Sequence, residues 1–426
     1  MSAKPAVGAG NDLGLLFVTR AIRMFGYGLV SVVLVLYLTA LAWSATEIGL
    51  LLALTLLGDA AVSLWLTTHA DRIGRRRVLV VGAVLMLAAG LVFVATPVYL
   101  VVVIAATIGV ISPSGNEVGP FLAVEQASLS QIVGDERRTT IFARYQLTGS
   151  FATAAGALVG GGLAQLAIDA GASAADAYRL VIIGYALAGV LLAVLFSRAS
   201  PRIEVPREQV TDAGIRTRLG LHRSQRVVLR LSALFALDAF AGGFVIAGFI
   251  TYWFSHRFGM DPAALGALIF GANVLAGLSA LAAGPLARRF GLVRTMVFTH
   301  LPSNVLLVLV PFMPTLPLAA TVLLVRFSIS QMDVPTRQSY TIAIVAPDER
   351  SAAAGVTGIA RSLGVAASPL VAAPLYLSAA LAWTPFVIAG SLKIVYDLLL
   401  YRGFNAHRAP EERESGPGHG FGAGRS

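Results

Sequence analysis

The stretch Ala70-Asp71-Arg72-Ile73-Gly74-Arg75-Arg76-Arg77 stands between two long apolar runs. A degenerate copy, Ala287-Arg288-Arg289-Phe290-Gly291-Leu292-Val293-Arg294, returns 217 residues later in the same setting. A basic turn repeated once per half-chain in a very apolar protein is what duplication of a membrane domain leaves behind, and duplicated halves are the ground plan of many secondary transporters. Other landmarks keep the same order. At the 217-residue offset Gly26 falls on Gly243 and Gly49 on Gly266, while Asp135-Glu136-Arg137 returns as Asp348-Glu349-Arg350 at an offset of 213.

Composition places the chain in the bilayer. Of its 426 residues 57% are hydrophobic and 13% charged, against roughly 25% charged in a soluble domain. A net charge of +10 would ordinarily suggest a nucleic-acid partner. Here the arginines fall in short loops between apolar runs, so they read as orientation signals and no nucleic-acid partner is expected. The absence of cysteine excludes disulfides, thiolate nucleophiles and thiolate metal sites. The first twelve residues, through Asp12, lack the basic start and cleavage site of a signal peptide. The first apolar run is therefore expected to persist as a membrane helix.

A span needs about 20 apolar residues, and twelve candidates are present. In the first half they cover 13–42, 47–68, 77–95, 98–132, 139–165 and 178–198. In the second half they cover 228–255, 262–285, 294–312, 316–346, 352–378 and 381–402. The expected fold is an all-α membrane protein with twelve helices in two pseudo-symmetric six-helix bundles, 13–198 and 228–402. A cytoplasmic segment (1–12) precedes them, an Arg-rich cytoplasmic linker (199–227, with a short surface helix near Ile215–Leu221) joins them, and a disordered cytoplasmic tail (403–426) follows. With the N-terminus inside, 23 of the 32 basic residues lie in cytoplasmic segments, and only Arg179 and Arg257 face the other side. That excess sets the topology, with both termini cytoplasmic in a plasma or inner membrane.

Seven basic residues remain within spans: Arg20, Arg23, Arg144, Arg326, Arg337, Arg361 and Lys393. The acids there are Asp59, Glu117, Glu125, Asp238, Asp333 and Asp397. A charge at the bilayer centre costs about 2.5–3.5 kcal/mol even on lenient insertion scales, so this set implies a protein-lined polar interior. Spans three, six, eight and nine carry none and are expected to support the others or face lipid. Lys393 and Asp397, four apart, are placed to neutralise each other.

Span ten contains Asp333-Val334-Pro335-Thr336-Arg337-Gln338, where the proline frees a carbonyl and bends the helix. Span four carries the matching Pro113-Ser114-Gly115-Asn116-Glu117-Val118-Gly119-Pro120, followed by Glu125 and Gln126. At the 213 offset Glu125 answers Gln338. Interrupted helices in corresponding positions are the best sequence pointer to a transporter's binding site. The candidates for solute or coupling contact are therefore Arg20, Arg23, Glu117, Glu125, Arg144, Asp238, Asp333, Arg337, Gln338 and Arg361. For Asp238 and Asp333 two readings stay open, a proton carrier whose charge burial disfavours or a fixed ion pair with Arg337 or Arg361. The arginines suit an anion unless internal carboxylates consume them. Asp59, beside Gly58, reads as a hydrogen-bond partner on a packing face, and His69 and His300 as isolated local partners.

Two six-helix halves, a basic turn between spans two and three with its echo between eight and nine, and an Arg-rich central linker together resemble the major facilitator superfamily. The resemblance covers residues 13–402. The family's signature loop is of the type Gly-x-x-x-Asp-Arg-x-Gly-Arg-Arg. Here Asp71, Arg72, Gly74, Arg75 and Arg76 match it, while Thr67 replaces the leading glycine. The resemblance implies that these five residues gate the conformational change. It also relates Gly156-Ala157-Leu158-Val159-Gly160-Gly161 to a fifth-helix pattern of drug/proton antiporters, although the proline of that pattern is missing here and small residues at this spacing also serve helix packing. The resulting expectation is a secondary active transporter of a small organic solute working by alternating access, by proton-coupled efflux. The alternative is proton-coupled uptake of a small organic anion. An intramembrane enzyme is disfavoured because no Asp-x-x-x-Asp or His-x-x-x-His pair sits at a membrane face. No cofactor or metal is expected, and the chain is expected to work as a monomer.

Overall fold

A computed structural model of the chain describes residues 9–117, 119–133, 135–204, 223–345 and 349–404. Most of the linker, its expected surface helix and the tail from residue 405 lie outside the described residues, as do residues 1–8. The first half contains α1 (Ala9–Ala40), α2 (Ala45–Ile73), α3 (Arg75–Ala95), α4 (Tyr99–Ile108), α5 (Phe121–Ile132), α6 (Asp135–Asp169) and α7 (Ala174–Ser197). The second half contains α8 (Gln225–Gly243), α9 (Ala247–Phe258), α10 (Pro262–Phe290), α11 (Leu292–Leu309), α12 (Leu316–Ile329), α13 (Asp333–Ala343), α14 (Arg350–Leu377) and α15 (Thr384–Phe404).

Among the described residues ten helical stretches are long and apolar enough to cross a bilayer, with α8 and α9 counting as one run. The remaining two crossings are the broken pairs α4/α5 and α12/α13, so the spans number twelve. Span four is interrupted across Pro113–Pro120 as predicted, whereas the break in span ten falls at residues 330–332, just before the Asp333–Gln338 stretch, which forms the first turns of α13 with Pro335. Span seven is also interrupted, at Phe244–Ile246, a break that Gly242-Gly243 signalled and the span reading passed over. Local chemistry sets the helix starts. Ser44 and Glu47 form a reciprocal capping box on α2, and Asp261 caps α10 with Pro262 in its first turn, satisfying N–H groups that have no intrahelical partner.

The duplicated basic turns take the same shape. Gly74 (φ 106°) ends α2 and starts α3, and Gly291 (φ 87°) does the same between α10 and α11. An L-residue is strained in that region, and glycine is not. Within the first half α1 packs on α6 and α7, and α3 on α7. Within the second, α8 packs on α14 and α15, and α11 on α15.

The halves meet along α6–α10, α2–α14 and α1–α9. A Cβ on Gly161 would lie 2.1 Å from the Pro262 carbonyl, one on Gly266 2.6 Å from that of Ala157, and one on Gly49 2.6 Å from that of Pro369. The repeated pair Gly49 and Gly266 thus occupies equivalent seams, where small residues let backbones touch. Gly156 and Gly160 press on the Phe25 and Leu29 carbonyls of α1. The glycine run of span five is therefore occupied with packing.

Along both α6 and α10 the cavity-lining residues (Ala143 to Thr153, Ile269 to Leu281) lie on the basic-turn side of the Gly161–Gly266 contact. The close approach of the two halves at Gly161 and Gly266 thus closes the cavity on the side away from the basic turns. Gly161→Val is expected to break that seal. In this cysteine-free chain a lone Asn273→Cys reports it, since labelling by a membrane-impermeant maleimide from the far side should rise several-fold in the Gly161→Val background. Unchanged labelling would remove the sealing role.

Candidate functional site

Between the halves lies a cavity of about 910 Å³, within the range of small-molecule sites. Its charged walls come from two networks, one in each half. In the first half, Arg20 and Arg23 project from α1 toward the broken fourth span. Arg20 donates to Glu117, to Gln146 Oε1 (2.5 Å) and to the Tyr145 carbonyl (3.0 Å). Arg23 donates through Nε to Glu117 (2.8 Å) and clamps Glu125 with both terminal nitrogens (2.9 and 2.6 Å). The Tyr145 hydroxyl also donates to Glu125. Arg20 and Glu117 line the cavity, whereas Arg23 and Glu125 lie behind them with both side chains fully buried.

Asp59 accepts the Gly119 N–H at 2.6 Å. The break in span four leaves that donor without a helical partner, and backbone polar groups at membrane depth must be satisfied by protein or water. Asp59 is thus the hydrogen-bond partner that was expected, serving the broken helix, but it lines the cavity and does not lie only on a packing face.

In the second half a single carboxylate ties four spans together. Asp238 on α8 receives Lys393 of α15 at 2.5 Å, Arg337 of α13 at 3.1 Å and Arg361 of α14 at 3.2 Å. Arg337 also meets Asp333 at 2.9 Å. Asp238, Asp333, Arg337, Arg361, Lys393 and the exposed amide of Gln338 all line the cavity. Both acids are ion-paired with arginine here, and both remain on the cavity wall. None of the ion pairs of either network crosses from one half to the other, so the halves can tilt without breaking them.

Several expectations are corrected. Lys393 and Asp397 do not neutralise each other. Lys393 turns to Asp238, and Asp397 takes His300 and Asn304, each at 2.9 Å. The competing carboxylate on α8 holds the lysine, so i,i+4 spacing alone did not decide the partner. His300 is accordingly not isolated and reaches the cavity, while His69 has the local role expected of it, bonded to the Trp65 carbonyl at 2.8 Å. Spans eight and nine are not mere supports, since α10 contributes Asn273 and Gly277 and α11 contributes His300 to the lining. Arg144 does not join the other candidates, for it is exposed and absent from the cavity wall. Tyr145 and Gln146, its neighbours in a polar triplet on span five, take the inward positions.

The signature loop is tied to the start of the linker and to the broken fourth span. The N–H groups of Arg75 and Arg76 donate to Glu204 at 2.7 and 3.1 Å, and the Arg75 guanidinium reaches Gln131 at 2.9 Å. Arg72 is exposed. The side chain of Asp71 lies outside what the structure describes.

Twelve spans, twin halves and a charged cavity between them form a recognisable constellation, and the comparisons decide its membership. The family model of the Major Facilitator Superfamily matches residues 16–369 and, in a second overlapping match, residues 232–422. The chain belongs to the major facilitator superfamily. An uncharacterized membrane protein of the yeast Saccharomyces cerevisiae is 32% identical over 420 residues, covering 92% of this chain and 94% of its own. Among solved structures, a bacterial homologue of the human lysosomal transporter Spinster, inward-facing and unoccupied, superposes with a TM-score of 0.72 at 14% identity, over 96% of this chain and 99% of its own. The nucleoside transporter NupG, as a point mutant, gives 0.73 at 13% identity over 92% and 99%. A D-xylose–proton symporter gives 0.69 at 17% identity over 92% and 97%. At these identities the structures speak for the fold alone. This superfamily member is a multi-pass membrane transporter of a small solute and not an enzyme.

Proposed function

We propose that this transporter is proton-coupled, that it works by alternating access around the central cavity, and that Asp238 is the group that takes up the proton. The observation that bears on this reading is the convergence of Lys393, Arg337 and Arg361 on that one carboxylate at the cavity wall. Together they hold it ionised in this arrangement, so it takes a proton only when a helix shift within the rocking bundle draws at least one of them away. A proton on Asp238 cancels the charge that holds three cations from three other spans. It therefore loosens the second bundle and makes the cavity one unit more positive. Arg20, Glu117 and Gln338 are the proposed solute contacts, with Arg23 and Glu125 as the brace behind them. Asp71, Arg72, Gly74, Arg75 and Arg76 form the proposed gating loop.

The sign of the solute sets the direction of coupling. An added positive charge favours an anion and disfavours a cation, so an anion would travel with the proton and a cation against it. The glycine run that suggested export is already accounted for by contact with α1 and α10. It therefore adds nothing in favour of efflux. The same fold serves a D-xylose–proton symporter, in keeping with proton coupling.

The test is reconstitution into liposomes carrying an imposed pH gradient, with a panel of anionic, neutral and cationic solutes. Gradient-driven accumulation of a solute, abolished by a protonophore, is the expected result. Equal flux with and without the gradient would remove the coupling.

A further inference from the structure

We propose that Arg326 and Ser330 dock the anionic group of the solute, a carboxylate or a phosphate monoester, so that the cargo is a small organic anion. The proposal rests on the transport reading above and adds the substrate class to it. Arg326 lies in the last turn of α12 and Ser330 is the residue that ends it, one helical turn further on. Both line the cavity, and both are more than nine-tenths buried, at 7% and 4% exposure.

Neither side chain has its polar needs met. Arg326 Nε and Ser330 Oγ are buried with no hydrogen-bond partner, and among the described residues no carboxylate pairs with Arg326. Its aromatic contact is the Phe327 ring, 4.8 Å from the guanidinium carbon. Every other basic side chain on the cavity wall does meet a carboxylate: Arg20 meets Glu117, Arg337 meets Asp333 and Asp238, and Arg361 and Lys393 meet Asp238. Arg326 is the cation that the internal pairing leaves over.

The internal repeat points the same way. At the 213-residue offset Ser330 corresponds to Glu117, the acid that accepts both Arg20 and Arg23 in the first half. The second half carries a hydroxyl in that place, and its cavity-wall acids, Asp333 and Asp238, are in contact with Arg337, Arg361 and Lys393 instead. A buried guanidinium that no carboxylate touches is costly in a membrane protein. A carboxylate or phosphate entering the cavity meets that need through two parallel N–H donors, and the Ser330 hydroxyl adds a third. With an anion held here, proton uptake at Asp238 and solute binding favour each other. The coupling is then symport.

The experiment measures binding to the purified full-length chain by thermal shift and isothermal titration calorimetry. The probes are succinate, benzoate and glycerol 3-phosphate, set against glycerol, benzylamine, chloride and inorganic phosphate. Expected is binding of at least one organic anion by the wild type, weakened about tenfold or more in Arg326→Gln. Arg326→Lys, which keeps the charge and loses the fork, should recover part of it, and Ser330→Ala should weaken binding less. Asp238→Asn serves as the separate arm for coupling. If it still binds the anion but transports it without pH dependence, the docking site stands independently of the coupling reading. Organic-anion binding that Arg326→Gln leaves intact, stabilisation by inorganic anions or by benzylamine alone, or no binding of any organic anion tested would each overturn the proposal.

Discussion

Asp238→Asn is expected to reduce gradient-driven flux in liposomes to the level of protein-free vesicles. Solute exchange at equal pH on both sides should persist. The substitution keeps the size of the side chain but removes the charge that Lys393, Arg337 and Arg361 share. Asparagine takes no proton, so the step that links the gradient to the cavity is gone. It also leaves Lys393 and Arg361 without the carboxylate they meet here, and removing one partner of a buried pair costs about 3–5 kcal/mol. The variant should therefore melt earlier. The double variant Asp238→Asn/Lys393→Met removes one orphaned cation and should recover part of the stability while leaving gradient-driven flux absent. Flux that still follows the pH gradient in Asp238→Asn would place the proton elsewhere.

Glu125→Ala should produce the larger loss of stability in the first half. Glu125 and Arg23 have no exposed side-chain surface, and Arg23 makes a two-pronged contact at 2.9 and 2.6 Å. Taking away the acid strands a guanidinium in the bundle, again at about 3–5 kcal/mol. Replacing both partners with apolar residues, Arg23→Met/Glu125→Leu, should cost much less, because a buried pair exchanged for hydrophobic packing is often close to neutral. The measurement is the melting midpoint of detergent-purified protein for both singles and the double. Equal losses for Glu125→Ala and the double variant would show that packing and hydrogen bonding, not the stranded charge, set the cost. Glu117→Gln is the useful contrast, since Glu117 faces the cavity and its loss should show in solute binding as well as in melting.

Much of this architecture was legible before any coordinates. Composition and the twelve apolar runs pointed to the class of protein, and the returning basic turn pointed to its duplication, because a bilayer admits few solutions for a backbone that must satisfy itself. Pro113, Pro120 and Pro335 marked the broken fourth and tenth spans for a local reason: proline removes a donor and clashes one turn back. Gly49 and Gly266 stood out as a repeat. Their use as the seam between halves became visible only when the 2.6 Å approaches to Pro369 and Ala157 were in view.

The pairing of charges was legible only in part: Arg337 and Arg361 were read as possible partners of Asp238 and Asp333, and they are. Spacing suggested Lys393 with Asp397, yet Lys393 chose Asp238, which lies 155 residues away along the chain. Arg144 looked equal to Arg20 and Arg23 in sequence and ended exposed and off the cavity wall, because the rotation of a helix about its axis is set by what packs against it. Arg326 was not among the candidates read from the sequence, and only the packed bundle shows that it meets no carboxylate while Arg337 meets two. Helix formation, span count and breakpoints depend on neighbours within a turn or two, and hydrophobicity and proline report those directly. Which charge answers which, and which one is left facing the cavity, depends on side chains brought within 4 Å across distant helices, and that is settled only when the bundles close.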